Sequence, residues 1–464
     1  MFSIRNPNMP MKRIHWILLA AATLTPPAAG QTATLATLYS FRGYPIDAQS
    51  PSGALLLSPN GTLYGTTSLG GVNFCTSGAG CGTVYELKPP AVAGGASMES
   101  VIFNFAGCCP GAALPAGGLV ADSNGALYGT AASGAGTNGS VFQLIPPATA
   151  GAPWTESVIW SATTPEGTVW FPQGPLLAGP GGTLYGTTSG IEERGQWHGA
   201  TAFALTPPAI PGESWTESTM HYFDVNSATG TDPRASVVYE RGSFFGTLYL
   251  GGQASCLTNG CGAVFELRPT PAGGASQEGT IYKFQGPPLD GANPATALTA
   301  GPGGVFYGTT FRGGAGTLCA YYTVVTGCGT VFQLTQAASG EAWTETVLHS
   351  FTGLDGDGAF PAGSLVVGGN GSLYGTTQYG GSATFGSPCT SNGASGCGTA
   401  FVLTPPAVPG GAWTESVLHS FTGTNGDGAI PEGPLLLSPT GVLYGTTSAG
   451  GTANYGTVFS LMLN

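Results

Sequence analysis

The sequence carries very little charge. It has 11 lysine and arginine residues and 23 aspartate and glutamate residues in 464, so charged side chains make up 7% of the chain. Surface helices usually carry many oppositely charged side chains spaced three or four positions apart. This composition therefore argues against a mainly helical fold.

Positive charge is especially scarce. Three of the basic residues, Arg5, Lys12 and Arg13, lie in the segment 1–30, which contains no acid. The remaining chain keeps eight basic and 23 acidic residues and would repel a phosphate backbone. We therefore expect no nucleic-acid partner.

Recognisable catalytic motifs are also missing. The sequence has no nucleophile elbow, phosphate-binding loop, dinucleotide fingerprint or cluster of metal ligands. After the segment 1–30 it has no apolar run long enough to cross a bilayer, so we expect no membrane span in the mature chain.

Glycine, proline and aromatic residues are abundant. The 79 glycines and 36 prolines make up about a quarter of the chain, a level typical of low-complexity sequences. However, 22 Phe, 17 Tyr and 8 Trp residues can supply a hydrophobic core. This combination predicts a folded, turn-rich, all-β protein.

The segment 1–30 is typical of a secretory signal peptide. Lys12 and Arg13 precede an apolar stretch at 14–24, and small residues lead up to Gly30. A membrane anchor is the alternative, but this apolar stretch is too short to cross a bilayer. We expect a secreted protein, extracellular or periplasmic.

Eight of the ten cysteines form local pairs, and disulfide bonds persist in such compartments. The spacing gives no zinc-binding knuckle. We therefore predict four disulfides: Cys75–Cys81, Cys256–Cys261, Cys319–Cys328 and Cys389–Cys397. Cys108 and Cys109 could bond to each other or to another chain, and the sequence does not decide between these.

One phrase, Leu-Tyr-Gly-Thr-Thr with small variations, occurs seven times. Its glycines recur at similar intervals, at positions 65, 129, 186, 246, 308, 375 and 445. No linker separates the repeats, so we expect residues 31–464 to form a single domain after the signal peptide at 1–30.

Each repeat contains four short β-like runs, here called its first to fourth strands. Examples are 433–438, 63–67, 82–87 and 415–421. Seven such repeats predict a seven-bladed β-propeller of four-stranded antiparallel blades. The last repeat lacks a fourth strand, and residues 36–41 resemble one, so we expect them to complete the last blade. An open solenoid would not explain this permuted order.

The repeated phrase is best explained by packing. Glycine in the middle of the second strand suggests that a neighbouring blade comes close there. The aromatic residue before it is expected to fill the space between blades.

The two faces of the ring should differ. The second–third and fourth–first loops lie together on one face, here called the loop face, and the tight first–second and third–fourth turns lie on the turn face. The second–third loops vary widely in length, and variable loops on a rigid scaffold often bind ligands. The four cysteine pairs occur in the four longest of these loops, either to order them or to resist proteolysis.

Acidic turns lie in the fourth–first loops. The candidate ligand-binding residues are Asp290, Asp355, Asp357, Asn425 and Asp427. Carboxylates two positions apart could bind Ca²⁺. Aspartate followed by glycine is also ordinary turn chemistry, which is the interpretation we favour, and we assign no other cofactor.

Histidines are few. His221, His349 and His419 share one fourth-strand position with Tyr39, Phe103, Trp160 and Tyr282, which indicates a packing position. His198, beside Trp197, has no counterpart in other repeats. These two residues are further binding candidates, and acid–base chemistry by His198 with a carboxylate is an alternative.

The combined motifs, LYGTT, then GG, CGTVF, PP, WTESVLHSF and DGA, resemble the GloVer-type tandem repeat of exported bacterial "choice-of-anchor" proteins. The resemblance covers essentially residues 34–464. It implies an exported or cell-surface protein of propeller form with no established activity.

Three functions remain open. The first is a non-enzymatic binding module for a glycan or a surface protein, and we expect it to be a monomer. The second is a glycosidase or lyase in which two carboxylates, from residues such as Asp355, Asp427 and Glu166, converge in a pocket. The third is a purely structural surface protein.

Overall fold

Seven small antiparallel sheets follow one another along the chain, as the repeats predict. The structure is a computed structural model that describes residues 31–464 except for short segments. The excepted segments are 76–78, 90–96, 108–110, 135–138, 150, 163–170, 173, 194–195, 211, 225–228, 253–255, 257–259, 271–274, 318, 322–324, 338–339, 341, 383–388, 392–393 and 409. The predicted signal peptide, Cys108, Cys109 and Glu166 lie outside the described residues.

Each blade is built on three long strands, and blades are numbered here in chain order from 1 to 7. The second strands are Leu63–Gly70, Leu127–Gly134, Leu184–Ser189, Ser243–Leu248, Phe306–Thr310, Leu373–Gly380 and Val442–Thr447. The third strands are Thr83–Lys88, Ser140–Ile145, Ala200–Thr206, Ala263–Arg268, Thr330–Gln336, Thr399–Thr404 and Thr457–Leu463. The fourth strands are Met98–Asn104, Thr155–Ser161, Thr216–Phe223, Gln277–Lys283, Trp343–Ser350, Thr414–Ser420 and, for blade 7, Ala33–Ser40.

The first strand is shorter than the apolar runs suggest. It consists of Leu56–Leu57, Val120–Ala121, Leu177–Ala178, Val238–Glu240, Thr299–Ala300, Val366–Val367 and Leu436–Leu437. In most blades a further short strand precedes the first strand in the chain. It pairs with the end of the second strand or with a short strand that continues it. These further strands are Ala48–Pro51, Ala112–Pro115, Phe171–Pro172, Gly291–Ala292, Gly358–Pro361 and Gly428–Ala429.

Small additional elements lie between the strands of the blades. Gly291–Ala292 pairs with Arg312–Gly313, and Gly428–Ala429 pairs with Ala449–Gly450. Three hairpins lie in second–third loops, and they are Ile191–Glu193 with Gln196–His198, Ala320–Tyr321 with Val325–Thr326, and Thr390–Ser391 with Ala394–Ser395. The helical elements of the described residues are the 3₁₀ turns Pro180–Gly182 and Pro302–Gly304.

The two ends of the chain share one sheet. The strand Ala33–Ser40 pairs antiparallel with Thr457–Leu463, with Thr37 opposite Phe459 and Tyr39 opposite Val458. The predicted closure of the last blade is therefore confirmed. Because the N-terminal strand occupies the outer edge of blade 7, the ring closes through backbone hydrogen bonds.

Near the centre of the ring, neighbouring blades contact each other through main-chain atoms at glycine residues. A Cβ atom placed on Gly117 would lie 2.7 Å from the carbonyl oxygen of Gly174 in the next blade, and one on Gly363 would lie 2.6 Å from that of Gly433. A Cβ on Gly433 would lie 2.8 Å from the carbonyl oxygen of Ser52, which links blade 7 to blade 1. Glycine is required here because adjacent blades touch through main chain.

The first threonine of the repeated phrase joins neighbouring blades. In five blades its hydroxyl donates a hydrogen bond of 2.8 to 3.1 Å to a carbonyl of the next blade. The pairs are Thr66 to Gly117, Thr130 to Gly174, Thr187 to Ala235, Thr247 to Thr296 and Thr376 to Gly433. The second threonine pairs with the third strand of its own blade, as in Thr377 with Thr399 at 2.8 Å. The phrase is thus a structural element.

The hydrophobic core lies between blades. At each junction an aromatic ring from the end of a fourth strand contacts a third-strand ring of the next blade, with centroids 4.9 to 5.1 Å apart. The pairs are Phe41 with Tyr85, Phe105 with Phe142, Trp160 with Phe203, Phe223 with Phe265, Phe284 with Phe332, Phe351 with Phe401, and Phe421 with Phe459. The second and third strands are buried on both sides, which explains why they lack polar alternation.

The glycine of the second strand has a different role from the one expected. A Cβ on Gly186 would lie 2.6 Å from the ring of Phe203, its partner across the strands of the same blade. The equivalent glycines face third-strand rings in the same way. The glycine therefore makes room for an aromatic ring of its own blade, and that ring reaches the neighbouring blade.

Replacing the linking threonine should weaken the ring. The change Thr376→Val removes the hydroxyl that donates to Gly433 and leaves a buried carbonyl unpaired, so we expect a loss of about 1–2 kcal/mol. Thr446 occupies the same position in blade 7, but its buried hydroxyl has no partner among the described residues. Thr446→Val is the matched control and should leave the denaturation midpoint unchanged or raise it. Equal destabilisation by both variants would contradict the linking role.

Candidate functional site

Loops of two kinds meet on the loop face. Each disulfide of a second–third loop lies against a glycine of the following fourth–first loop. The contacts are Cys75–Cys81 with Gly107, Cys256–Cys261 with Gly286, Cys319–Cys328 with Gly353, and Cys389–Cys397 with Gly423. In blade 7, which has no disulfide, the ring of Tyr455 lies against Gly43 instead.

The four predicted disulfides are confirmed, and they are buried. Cys81, Cys261, Cys328 and Cys397 are at most 1% exposed and belong to the cores between blades. Each bond thus attaches a long loop to the core beneath it. No helix in the described part of the chain is long and apolar enough to span a membrane.

Each predicted aspartate that ends a fourth–first loop organises that loop. In Asp357, Oδ2 accepts hydrogen bonds from the amide and hydroxyl of Thr352, at 2.7 and 2.8 Å. Its Oδ1 accepts one from the amide of Gly358 at 2.7 Å and lies 3.3 Å from Nε2 of His349. Asp290 and Asp427 have equivalent contacts.

These contacts use most of the lone pairs of the carboxylate. The arrangement supports the turn interpretation of the acidic loops. Asp355 and Asn425 are exposed in the same turns, where they adopt positive φ angles of 52° and 55°. Among the residues that the structure describes, no group of three or more His, Cys, Asp or Glu side chains could hold a metal ion.

The remaining binding candidates lie in a hairpin of blade 3. The backbone of His198 pairs with that of Ile191, and Trp197 pairs with Glu192. Their side chains lie outside the described part of the structure, so the role assigned to Trp197 and His198 stays a prediction.

The shared histidine and tyrosine position does more than pack. The rings of His349 and His419 contact the loop aspartates Asp357 and Asp427. The hydroxyls of Tyr39 and Tyr282 donate hydrogen bonds to Asp47 and Asp290, at 2.8 and 2.9 Å. Each of these four residues stands eight positions before its aspartate, whereas Phe103, Trp160 and His221 have no aspartate there. His221 lies 3.3 Å from Glu278 instead. The eight-position spacing is a sequence signal that the packing interpretation missed.

A polar cleft lies at the outer edge of the ring between blades 5 and 6. It has a volume of about 710 Å³. His349, the loop residues Thr352, Leu354 and Asp355, and Asp357 line one side, and Ser382, Glu415, His419 and Ser420 line the other. The cleft thus combines two imidazoles, three carboxyl groups and several hydroxyls.

The two inner carboxyl groups of the cleft have opposite electrostatic properties. Burial raises the pKa of Glu415 to about 7, with the charge of His349 opposing this and that of Asp357 adding to it. Burial would also raise the pKa of Asp357, but hydrogen bonds from His349 and Thr352 outweigh it, so that pKa lies below its usual value. At neutral pH Asp357 is ionised, and Glu415 is partly protonated.

Related glutamates occur at two other junctions. Burial, reinforced by the nearby charges of Asp47 and Asp290, raises the pKa of Glu99 to about 7 and that of Glu345 to about 8. The sequence analysis missed this set. A signal was available, since six of the 23 acidic residues occupy the same fourth-strand position: Glu99, Glu156, Glu217, Glu278, Glu345 and Glu415.

The fold and the repeated units define a tandem-repeat β-propeller of seven blades. The family described as the Gloeobacter/Verrucomicrobia repeat matches residues 76–323, 171–388 and 320–464. The chain therefore belongs to that family, and the resemblance inferred from its motifs is confirmed.

Comparison with known proteins adds little about activity. No curated protein sequence matches the chain significantly. Among solved structures, one assigned as a gluconolactonase is 12% identical with a TM-score of 0.38 and covers 93% of this chain and 92% of its own. The sialidase of Trypanosoma rangeli is 10% identical with a TM-score of 0.41, covering 92% and 75%. A glucose dehydrogenase is 12% identical with a TM-score of 0.38, covering 92% and 98%.

The buried glutamates should make stability depend on pH. Because the folded-state pKa values of Glu99, Glu345 and Glu415 exceed that of unfolded glutamate, the folded protein holds protons that the unfolded chain releases between about pH 4.5 and 8. Stability should therefore fall as pH rises across this range, and the melting temperature should be lower at pH 8.5 than at pH 5.5.

A triple variant isolates this effect. With Glu99→Gln, Glu345→Gln and Glu415→Gln together, the decline between pH 5.5 and 8.5 should become shallower, because glutamine stays neutral. Burial also raises the pKa values of Glu156, Asp232, Asp290 and Glu432, so a smaller decline should remain. Asp357 and Asp427 have lowered pKa values and release their protons below this range, so they do not contribute to the decline. An equally steep decline in the triple variant would contradict the assignment.

Proposed function

We propose that this protein is a non-enzymatic, exported binding module that binds a glycan in the cleft between blades 5 and 6. The observation that carries the proposal is the composition of the cleft. Hydroxyl, imidazole and carboxyl groups converge there around a volume of about 710 Å³. Sugar hydroxyls both donate and accept hydrogen bonds, so a lining with donors and acceptors suits them.

The edge of the cleft supports the same ligand class. Asp355 is exposed, so its carboxylate is open to solvent for a bidentate contact with adjacent sugar hydroxyls. Leu354 beside it is 47% exposed and offers an apolar surface to the C–H face of a sugar ring. The inner carboxylate of Asp357 holds the loop that presents both residues.

Export fits this role. Four disulfides are consistent with an extracellular or periplasmic location, where glycans are displayed. A surface protein as the ligand and a purely structural role are the competing outcomes of the test below.

An enzymatic role is the second candidate, and one observation favours it. Glu415 with a pKa of about 7 beside ionised Asp357 resembles the acid and base pair of a glycosidase. Against it, both oxygens of Asp357 already accept backbone hydrogen bonds, and similar arrangements occur at the junctions with Glu99 and Glu345. Repetition around the ring is typical of a structural role, so we place binding first.

Filling the cleft should abolish glycan binding. Ser382 lines the cleft and is exposed, and its hydroxyl accepts one hydrogen bond, from Ser420 at 3.5 Å. Ser382→Trp should therefore obstruct the cleft and remove only this long contact. After a printed glycan array has identified an oligosaccharide, calorimetry should show at least about a tenfold loss of affinity in this variant. Thr452 occupies the equivalent position between blades 6 and 7, and Thr452→Trp is the matched control, which should bind normally.

Three outcomes would change the conclusion. An array without any hit would remove the glycan proposal, and equal binding by both tryptophan variants would move the site elsewhere. Hydrolysis of a bound oligosaccharide that Glu415→Gln abolishes would establish the enzyme in place of the binding module.

A further inference from the structure

A second cavity lies on the turn face between blades 3 and 4. It has a volume of about 600 Å³ and is lined mainly by apolar and aromatic side chains. Tyr185 and Met220 come from blade 3, and Tyr239, Phe244 and Ser276 come from blade 4. The cavity is separate from the polar cleft between blades 5 and 6.

At four other junctions a tryptophan occupies this location. This tryptophan lies two positions before the fourth-strand glutamate. It contacts the aromatic residue that precedes glycine in the repeated phrase of the preceding blade. The pairs are Tyr64 with Trp154, Tyr128 with Trp215, Phe245 with Trp343, and Tyr307 with Trp413, with ring centroids 5.8 to 6.3 Å apart. In blade 4 the residue two before Glu278 is Ser276, so the indole ring is missing beside Tyr185.

The rest of the aromatic socket is complete. Between blades 4 and 5, Phe245 and Phe306 have centroids 4.7 Å apart at 42°, and Trp343 stacks on Phe306 at 5.6 Å. Between blades 3 and 4, Tyr185 and Phe244 have the same separation, 4.7 Å, at 48°. The two junctions thus share one aromatic pair, and only one of them contains the third ring.

A second departure from the repeat occurs at the same place. Tyr239 lies against Phe244 with centroids 4.8 Å apart and is 51% exposed. The equivalent first-strand residues of the other blades are aliphatic, namely Leu57, Ala121, Ala178, Ala300, Val367 and Leu437. An exposed tyrosine therefore stands at the edge of the socket that lacks its tryptophan.

Blade 1 provides a comparison. Its residue two before Glu99 is also serine, Ser97, but the facing residues are Tyr444 and Leu63, which share one core cluster. The aromatic pair across a blade junction requires phenylalanine as the first residue of the repeated phrase. Only Phe244 and Phe306 meet this condition, since the other phrases begin with leucine. Serine at this position does not by itself create an aromatic socket.

We propose that the cavity between blades 3 and 4 binds an uncharged aromatic ring system of about the size of indole. Covering an exposed apolar surface with an aromatic ring removes it from water, which favours binding. Stacked or edge-on contacts between aromatic rings favour binding further. The hydroxyls of Ser218 and Ser276 line the same cavity and can pair with a ring N–H or hydroxyl group. The occupant is either a small aromatic molecule or a tryptophan side chain of a partner protein.

The first experiment measures binding of 3-methylindole, the tryptophan side-chain analogue, to the full mature chain by calorimetry and saturation-transfer NMR. For a ligand of this size we expect one site with a dissociation constant on the order of 0.1–1 mM. Ser276→Trp should occupy the cavity with the protein's own indole, reduce this affinity by at least about tenfold and raise the melting temperature. Ser97→Trp, at the equivalent position of blade 1 and outside this cavity, is the matched control and should bind normally.

Two further variants keep the proposal testable. Tyr239→Ala introduces the residue found at Ala178 and Ala300, so the protein should fold while its affinity for 3-methylindole falls several-fold. Trp343→Ser should open the equivalent socket between blades 4 and 5 and give a second site in folded protein. Absence of binding to the wild-type chain, or unchanged affinity in Ser276→Trp, would overturn the proposal.

A second probe separates the two sources of the ring. A short Gly-Ser peptide with one central tryptophan that binds more tightly than 3-methylindole, and loses binding in Ser276→Trp, would support a protein partner. Equal or weaker binding of the peptide would support a small molecule. Because the variants of the cleft between blades 5 and 6 do not touch this cavity, failure here and failure of the proposed glycan site are distinguishable.

Discussion

The structure depends on close contact between main chains at the centre of the ring. Threonine hydroxyls of one blade donate to carbonyls of the next, and glycines such as Gly117 and Gly363 bring the backbones close enough for this contact. A buried carbonyl without a partner would cost free energy, so the five blades linked in this way depend on their neighbours. The contact from Gly433 to Ser52 extends this dependence from the last blade to the first.

The outer edge of the ring is built on a different principle. Carboxylates there organise loops by accepting backbone hydrogen bonds, and Asp357 with His349 is one example. Glutamates of the following blade lie beside these anchors in partly buried positions, where desolvation raises their pKa. The chemistry available to a ligand therefore depends on which polar groups the loops leave free, and several polar groups line the cleft between blades 5 and 6.

Departures from the repeat are more informative about function than the repeat itself. The repeated phrase, the core aromatics and the loop aspartates all serve packing or loop structure. Tyr239 and the exposed Asp355 lie at positions where one blade differs from the others, and Ser276 stands where four blades have tryptophan. The packing of one blade on the next, which the whole ring shares, explains the repeated residues. It does not explain the residues that depart from the repeat.

The amino-acid sequence was sufficient to predict the number of blades, the closing role of the N-terminal strand and the four disulfides. Each of these follows from residues near one another in the chain or from a period that the chain repeats. It also contained the eight-position spacing of Tyr39 and Asp47, although that signal was missed. Two arrangements became visible only in the folded protein: Glu415 lies beside His349 and Asp357, and Ser276 leaves an aromatic pair uncovered. These arrangements join residues of different blades that are far apart in the chain, and their chemistry arises from burial between sheets, which no local pattern records.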